Sequence, residues 1–438
     1  MYRFLNDVYE RIRSSTIGFS AVSERVNPPS PVIISSKTPT SLKRDPQRKN
    51  FLLRSPNKSH LIIDAKSLIS LLDVGAKLND PMILSCFQSL VNVKTLTNRD
   101  GTNIESYKEL VPLIQDINYT TAPYYFSYLY FACSVGYSEL VSLILERGAD
   151  RNSVNTDGED ALCIASRKGH LEAVKVLMKW TTGKPIPTSR INTAFRAACW
   201  SGRAEVIPVL KYLIEHGADV NSLTEHGQSP LSIAISCYGT DIVELLLNNG
   251  AHVHTLTPND RCMLCYACTQ KSPEIVNLLL HHGADPNTID RDGACPLYLA
   301  RSNERIMQLL FDNGADVNLP LTNGSTVFLN ILKEACVQVC SLYIIKWYLN
   351  HGADTNRPNT DTGETALMIA ALTGTGSVPI VKLLLESCAD VTQPNHDGIC
   401  LLYMVANNNR GDNNKGRIIE LCIQYIDINR IDEKPLLK

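Results

Sequence analysis

Apolar positions along this chain fall into two alternating kinds of short block, set apart by polar turns. Between 229 and 254 the first block is Pro230, Leu231, Ile233 and Ala234, and the second is Ile242, Val243, Leu245, Leu246 and Leu247. Both blocks have the i, i+3, i+4 spacing of one helix face, and each is too short to be more than two or three turns. Ser229 followed by Pro230 supplies a side-chain acceptor and then a residue already shaped for the first helical position, so a helix A begins there. Gly250, just beyond the second block, suits the left-handed residue that ends a helix B. The polar stretch that follows should turn back as a hairpin before the next helix A.

The pattern then repeats. Gly-Ala-Asp or a near copy stands at Gly148, Gly217, Gly250, Gly283, Gly314 and Gly352, with a degenerate Cys388-Ala389-Asp390 further on. The steps from Gly217 to Gly250 to Gly283 are each 33 residues; the others are 69, 31, 38 and 36. A period near 33 residues marks a stack of small units, none of which can bury its apolar face alone. A second landmark lies upstream in each unit, as in Gly227-Gln228-Ser229-Pro230-Leu231, Gly293-Ala294-Cys295-Pro296-Leu297 and Gly363-Glu364-Thr365-Ala366-Leu367.

Three separated motifs in constant register resemble the ankyrin repeat, whose pattern runs Gly-x-Thr-Pro-Leu-His-x-Ala, Gly-His, Val-x-x-Leu-Leu and Gly-Ala-Asp-x-Asn. The resemblance implies an all-α ankyrin-repeat solenoid of stacked helix-turn-helix units joined by short β-hairpin loops, with about nine units. The array is expected over residues 119–429. A helical cap with decayed repeats is expected over 59–118, a disordered basic arm over 1–58, and a short tail over 430–438.

Departures from the pattern are informative. After Asn152 a unit starts well, through Asp157-Gly158, Leu162, Gly169-His170 and Val174, but ends in Thr181-Thr182-Gly183-Lys184-Pro185, which predicts a loop of different shape. Phe328 to Gly352 spans 24 residues against 19 from Leu231 to Gly250, which predicts a lengthened helix or loop. The unit from Leu297 to Gly314 is two residues short. Cys388 stands where Gly is expected, at a cost of about 1 kcal/mol if the left-handed backbone is kept.

Charge adds a partition. The net charge is -2, yet residues 1–60 carry eleven Lys/Arg against four Asp/Glu, so the remainder is about -9. A mildly acidic body is poorly suited to a phosphate backbone, so the repeats are not expected to bind nucleic acid. The first residues lack an apolar signal core and no apolar run approaches the roughly 18 residues of a membrane span. Fourteen cysteines without framework spacing fit reduced thiols, and the expected location is cytoplasmic or nuclear. Lys43-Arg44-Asp45-Pro46-Gln47-Arg48-Lys49 could act as an import signal, although Asp45 and Pro46 break the cluster.

Each motif that suggests chemistry has a repeat-structural explanation. Cys262, Cys265 and Cys268 suggest a metal, but their register puts Cys262 at an N-cap and the others on helix A. His252 and His254 occupy the slots filled elsewhere by Asp and Asn. Gly374-Thr375-Gly376 lacks the third glycine of a dinucleotide loop, and Gly183-Lys184-Pro185 lacks the Ser or Thr of a phosphate loop. The chain is therefore read as a non-enzyme with no cofactor or metal, and as a monomer.

What remains is recognition of a protein partner by a scaffold or adaptor. By resemblance, the partner is held by the hairpin tips and the inner, concave face of helix A, which register assigns to Tyr124, Phe126, Arg167, Lys168, Arg190, Trp200, Glu225, His226 and Arg291. Alternatives are a substrate-recognition subunit of a ubiquitin ligase, a pathogen effector or a nuclear regulatory protein. The resemblance also implies hydroxylation at the Asp-Val-Asn asparagines, Asn221 and Asn318.

Overall fold

The computed structural model describes residues 111, 114, 116–121, 125–180, 185–337, 342–372, 377–407 and 414–432. The arm expected over 1–58, nearly all of the cap over 59–118, and most of the tail lie outside the described residues, as does Tyr124. Within the described residues the chain forms nine helix pairs. They are α1 (Tyr128–Val135) with α2 (Ser138–Glu146), α3 (Ala161–Lys168) with α4 (Leu171–Lys179), and α5 (Thr188–Cys199) with α6 (Ile207–Glu215). Next come α7 (Pro230–Ser236) with α8 (Thr240–Asn248), α9 (Met263–Gln270) with α10 (Pro273–His281), and α11 (Pro296–Leu299) with α12 (Glu304–Asp312). The last three are α13 (Val327–Val337) with α14 (Leu342–Asn350), α15 (Ala366–Leu372) with α16 (Ser377–Glu386), and α17 (Leu401–Asn407) with α18 (Lys415–Asp432).

Odd-numbered helices contact the odd helices of neighbouring pairs and even helices contact even ones, so helices A and B form two layers with the core between them. Alanine explains how closely the A helices approach. Ala132, Ala165 and Ala198, then Ala234, Ala267 and Ala300, recur at intervals of 33 and are at most 1% exposed. The B helices contribute a column of Val141, Val174, Val243, Val276 and Val381, all fully buried. Each such side chain contributes roughly 1.5–3 kcal/mol by leaving water, and only stacking on a neighbour removes it from water on both sides.

The Gly-Ala pair that follows six of these B helices has a geometric cause. Ala251 N donates to Leu246 O (2.9 Å) and Gly250 N to Leu247 O (3.0 Å), the paired bonds of a Schellman ending, and Ala284 and Ala315 repeat the first of these. Cys388 keeps this conformation, at φ 62°, without the glycine that would adopt it freely.

Helix A starts are capped by side chains, as at Ser127, Asp160, Ser229 and Cys262. The hairpin tips before them are mostly closed by two backbone bonds, such as Thr224 N to Gln228 O and Gly227 N to Thr224 O (both 2.9 Å), rather than by regular strands. Among the described residues, strand pairing is confined to β1 (Thr120–Thr121) against antiparallel β2 (Phe126–Ser127), with single bridges at Leu256–Cys262 and Pro320–Thr326. The lengthened unit is a longer helix A, the eleven residues of α13, and the short unit shrinks α11 to four.

Asparagines link successive hairpins. Asn318 Oδ1 accepts from Asp354 N (2.8 Å) while its Nδ2 donates to Gly352 O (2.9 Å). Asn221, Asn287 and Asn356 make the same two bonds to the next unit. Where the unit after Asn152 lacks this ending, Asn192 of α5 reaches across to accept from Asp219 N (2.8 Å).

Candidate functional site

The side chains expected to bind a partner separate into three places. Arg167 and Lys168 are the last two residues of α3, and Trp200 is the C-cap of α5. All three therefore sit where helix A turns into helix B, at the opposite end of helix A from the hairpins. Glu225, His226 and Arg291 occupy hairpin tips. Phe126 and Arg190 are engaged inside the array.

Along the turn edge, neighbouring turns meet backbone to backbone. Gly169 has φ +79°, and a Cβ there would lie 2.9 Å from Glu205 O of the next unit. A Cβ on Gly202 would come within 2.6 Å of Cys237 O in the unit after that. This contact brings Lys168 beside the turn that holds Arg203, and Trp200 beside the turn that holds Tyr238. Trp200 is 46% exposed and Tyr238 60%. Among the described residues Lys168 and Arg203 have no ion-pair partner, whereas Arg167 is held by Glu159 at 2.9 Å. Burial, reinforced by repulsion from Arg167 and Arg203, lowers the Lys168 pKa from its ordinary value, and Glu159 opposes the effect. Glu205 is exposed two residues beyond Arg203 and is the acidic member of this turn. The edge thus offers cations and aromatic faces in a chain whose repeats are acidic overall.

Sequence register did not single out Arg203 or Tyr238. Tyr238 was legible only indirectly, as a bulky residue in the position of the glycine of Gly169-His170; it adopts φ 57°. A second set missed from the sequence is Val154, Leu223 and Leu256. Each lies two residues beyond the Asn or His that ends its unit, and each is more than half exposed. An apolar residue inside an otherwise polar hairpin was the available signal.

Tip residues are partly tied to one another. Arg291 pairs with Asp260 of the preceding tip at 2.5 Å, and Arg261 reaches Asp292 at 3.2 Å. Such exposed pairs contribute little stability, about 0–1 kcal/mol, and leave the groups available for exchange. Glu225 and His226 are exposed.

Arg190 is placed differently from a free recognition residue. Its guanidinium bonds the Asp160 carboxylate, Asn152 Oδ1 and Arg151 O (3.0 Å), and Asp160 in turn caps α3 through Cys163 N at 2.8 Å. Arg190 and Asp160 thus staple the irregular junction between the first unit and the next two. Phe126 stacks on Tyr130 (4.6 Å between centroids) and meets Phe131 edge-on at 5.7 Å. Trp180, Val154, Leu145, Pro187 and Arg190 border a cavity of about 780 Å³ at the same junction.

The residues considered for chemistry are structural in their contacts. Cys262 accepts from Cys265 N at 3.0 Å as the N-cap of α9. Cys265 and Cys268 are buried. His170 lies against Ser134 O (3.1 Å) across the unit boundary. Among the described residues no group of three or more His, Cys, Asp or Glu side chains is arranged to hold a metal ion, and no helix is long and apolar enough to cross a membrane. The Asn221 and Asn318 amides are each committed to two bonds with the following unit.

Comparison with known proteins agrees with this architecture. The family model for ankyrin repeats, three copies per match, aligns with residues 83–188, 129–221, 184–257, 238–320 and 332–432, most of the chain. The chain belongs to the ankyrin repeat family. It is 34% identical over 137 residues to the E3 ubiquitin-protein ligase XBAT33 of Arabidopsis thaliana, covering 30% of this chain and 25% of that protein. It is 30% identical over 108 residues to a transient receptor potential cation channel subfamily A member 1 homolog of Caenorhabditis elegans, covering 24% of this chain and 9% of that one. An ankyrin repeat domain-containing protein of monkeypox virus, OPG015, is 36% identical over 88 residues, 18% of this chain and 20% of that protein. The chain thus spans a quarter or less of these relatives. Among solved structures, the ankyrin repeat domain of Bcl-3 matches with TM-score 0.45 and 24% identity over 52% of this chain and 96% of that one. The human ASB11 ankyrin repeat domain gives 0.44 and 23% over 52% and 97%. Ankyrin repeats are a protein-interaction module, and their fold carries no catalytic site of its own.

Proposed function

We propose that this chain is a non-catalytic scaffold or adaptor that holds a protein partner along helix A, from its turns to the hairpin tips. The observation that carries the proposal is the turn edge: Trp200 and Tyr238 exposed beside Lys168 and Arg203, on backbone that its neighbours hold in place. Trp, Tyr and Arg dominate binding energy at protein interfaces when they are presented rigidly, because little entropy is then lost on docking. Arg167 extends this edge. Glu225, His226 and Arg291, with Leu223 and Leu256, form the second contact at the tips. Arg190 and Phe126 support the surface from within.

The test is a Trp200→Ala, Lys168→Glu double variant compared with the wild-type chain and with a Lys382→Glu control on α16. Equal thermal unfolding together with loss of partners retained by the control supports the edge. Undiminished capture by the double variant refutes it. A ligase role is not proposed, because the match spans 25% of the plant ligase and the chain is similar to a channel and a viral protein as well. Hydroxylation of Asn221 and Asn318 is proposed only for a locally opened junction, since both amides are bonded in the closed one. Intact masses without added oxygen after co-expression with an asparaginyl hydroxylase overturn it.

A further inference from the structure

The hairpin before α9 ends in Cys262, whose backbone is extended (φ -65°, ψ 151°), while Cys265 already belongs to the first turn of the helix. That change of conformation folds the Cys262 side chain back over the turn. Its sulfur accepts the Cys265 N–H at 3.0 Å and so lies over the residue whose thiol would complete a disulfide; that thiol faces Ala294 O at 4.0 Å. Two cysteines three apart inside a helix do not meet in this way, because their Cβ atoms stand about 5–6 Å apart against the roughly 3.5–4.5 Å of a disulfide. Cys268, one turn further on, lies in that unfavourable relation to Cys265.

We propose that Cys262 and Cys265 are a redox-active dithiol that a peroxide converts to a disulfide at the start of α9. Backbone N–H groups of the first helical turn face the Cys262 sulfur, and they stabilise the thiolate that acts as nucleophile. The Cys265 side chain and the Leu264 and Cys265 N–H groups lower the Cys262 pKa, against the opposing effects of burial and the Asp290 carboxylate, whereas the Cys262 side chain and burial raise that of Cys265. Cys262 retains 8% exposure, and Cys265 none. A small oxidant is therefore required, and it meets Cys262 first.

The steps balance with one hydrogen peroxide. The Cys262 thiolate attacks one peroxide oxygen, the O–O bond breaks, and hydroxide leaves to take up a proton as water. Cys262 is then a sulfenic acid. The Cys265 sulfur attacks the Cys262 sulfur, the S–O bond breaks, and the departing hydroxide takes the Cys265 proton as the second water. Two sulfurs have lost two electrons to the peroxide. Cys262 also forms the bridge with Leu256, so the disulfide ties the stem of that hairpin covalently to the first turn of α9.

The experiment treats the full chain with hydrogen peroxide, blocks remaining thiols with N-ethylmaleimide, and digests with trypsin without reduction. Fragment 262–271 contains Cys262, Cys265 and Cys268. The expected product is lighter by two hydrogens and carries a single maleimide, on Cys268. Cys268→Ser retains the disulfide and Cys262→Ser abolishes it. Serine is itself a good N-cap, so the second variant keeps the helix start, which circular dichroism checks. Three maleimides on the fragment at peroxide concentrations that oxidise free cysteine overturn the proposal, as does a disulfide that persists in Cys262→Ser.

Discussion

Asn318 and Asp354 join two ankyrin units through a side chain that replaces a missing strand partner: the Asn318 carbonyl oxygen takes the Asp354 backbone N–H at 2.8 Å, while its amide nitrogen satisfies Gly352 O. Hairpins too short to form a continuous sheet are thereby tied in series, and the same link recurs at Asn221, Asn287 and Asn356. Asn318→Ala should destabilise the array by about 1 kcal/mol, since the two freed backbone groups are exposed enough to hydrate. Urea unfolding measures this. His254→Ala, at the equivalent position without the link, should have a smaller effect, and equal effects would count against the asparagine chain.

Cys388 offers the opposite case. It holds φ 62° at the end of α16, where other units have Gly. Cys388→Gly should stabilise the C-terminal units by about 1 kcal/mol, because the strain at a left-handed residue disappears. A lower unfolding midpoint in the variant would show that the side chain contributes contacts that outweigh the strain.

The staple between Arg190 and Asp160 should be costly to break on one side only. Asp160 has 5% side-chain exposure and Arg190 24%, so Arg190→Ala leaves a buried carboxylate unpaired and should cost about 3 kcal/mol. Adding Asp160→Asn, which removes the charge but keeps a capping oxygen, should recover part of that loss. A double variant less stable than Arg190→Ala alone would contradict this account.

His170 gives the array a pH dependence of known sign. Burial lowers its pKa below the ordinary value of 6.5, helped by Lys168 and opposed by the bond to Ser134 O. The unfolded chain then takes up the proton first, so the contribution of His170 is intact above about pH 6.5 and declines as pH falls through that value toward the folded pKa. His170→Gln retains a donor for Ser134 O without titrating. Its stability should fall less than that of the wild type between about pH 7 and pH 5.5; parallel profiles would exclude the effect.

Much of the fold was legible because it repeats. Leu231, Ala234 and Gly250 have counterparts at a constant interval, and the physical demand each meets is local: a buried face, a close neighbouring helix, a left-handed ending. The site was less legible for the same reason. Register assigns Arg190 to helix A, but only the three-dimensional junction reveals Asp160 beneath it, thirty residues earlier in sequence. Trp200 was recognised, yet the turns that bring Lys168 to Arg203 and Trp200 to Tyr238 meet only when units stack. Cys262 was recognised as an N-cap, but how far its sulfur folds back over Cys265 depends on backbone angles that sequence spacing does not specify.

Docking of a protein partner is proposed at the edge formed by Lys168, Trp200, Arg203 and Tyr238. Hydrogen–deuterium exchange on the full chain, with and without a captured partner, tests it most directly. Protection is expected to concentrate at residues 166–171, 198–204 and 236–241 and to extend to the hairpin tips near 223–228. Protection confined to the outward faces of the B helices, with these turns unchanged, would contradict it.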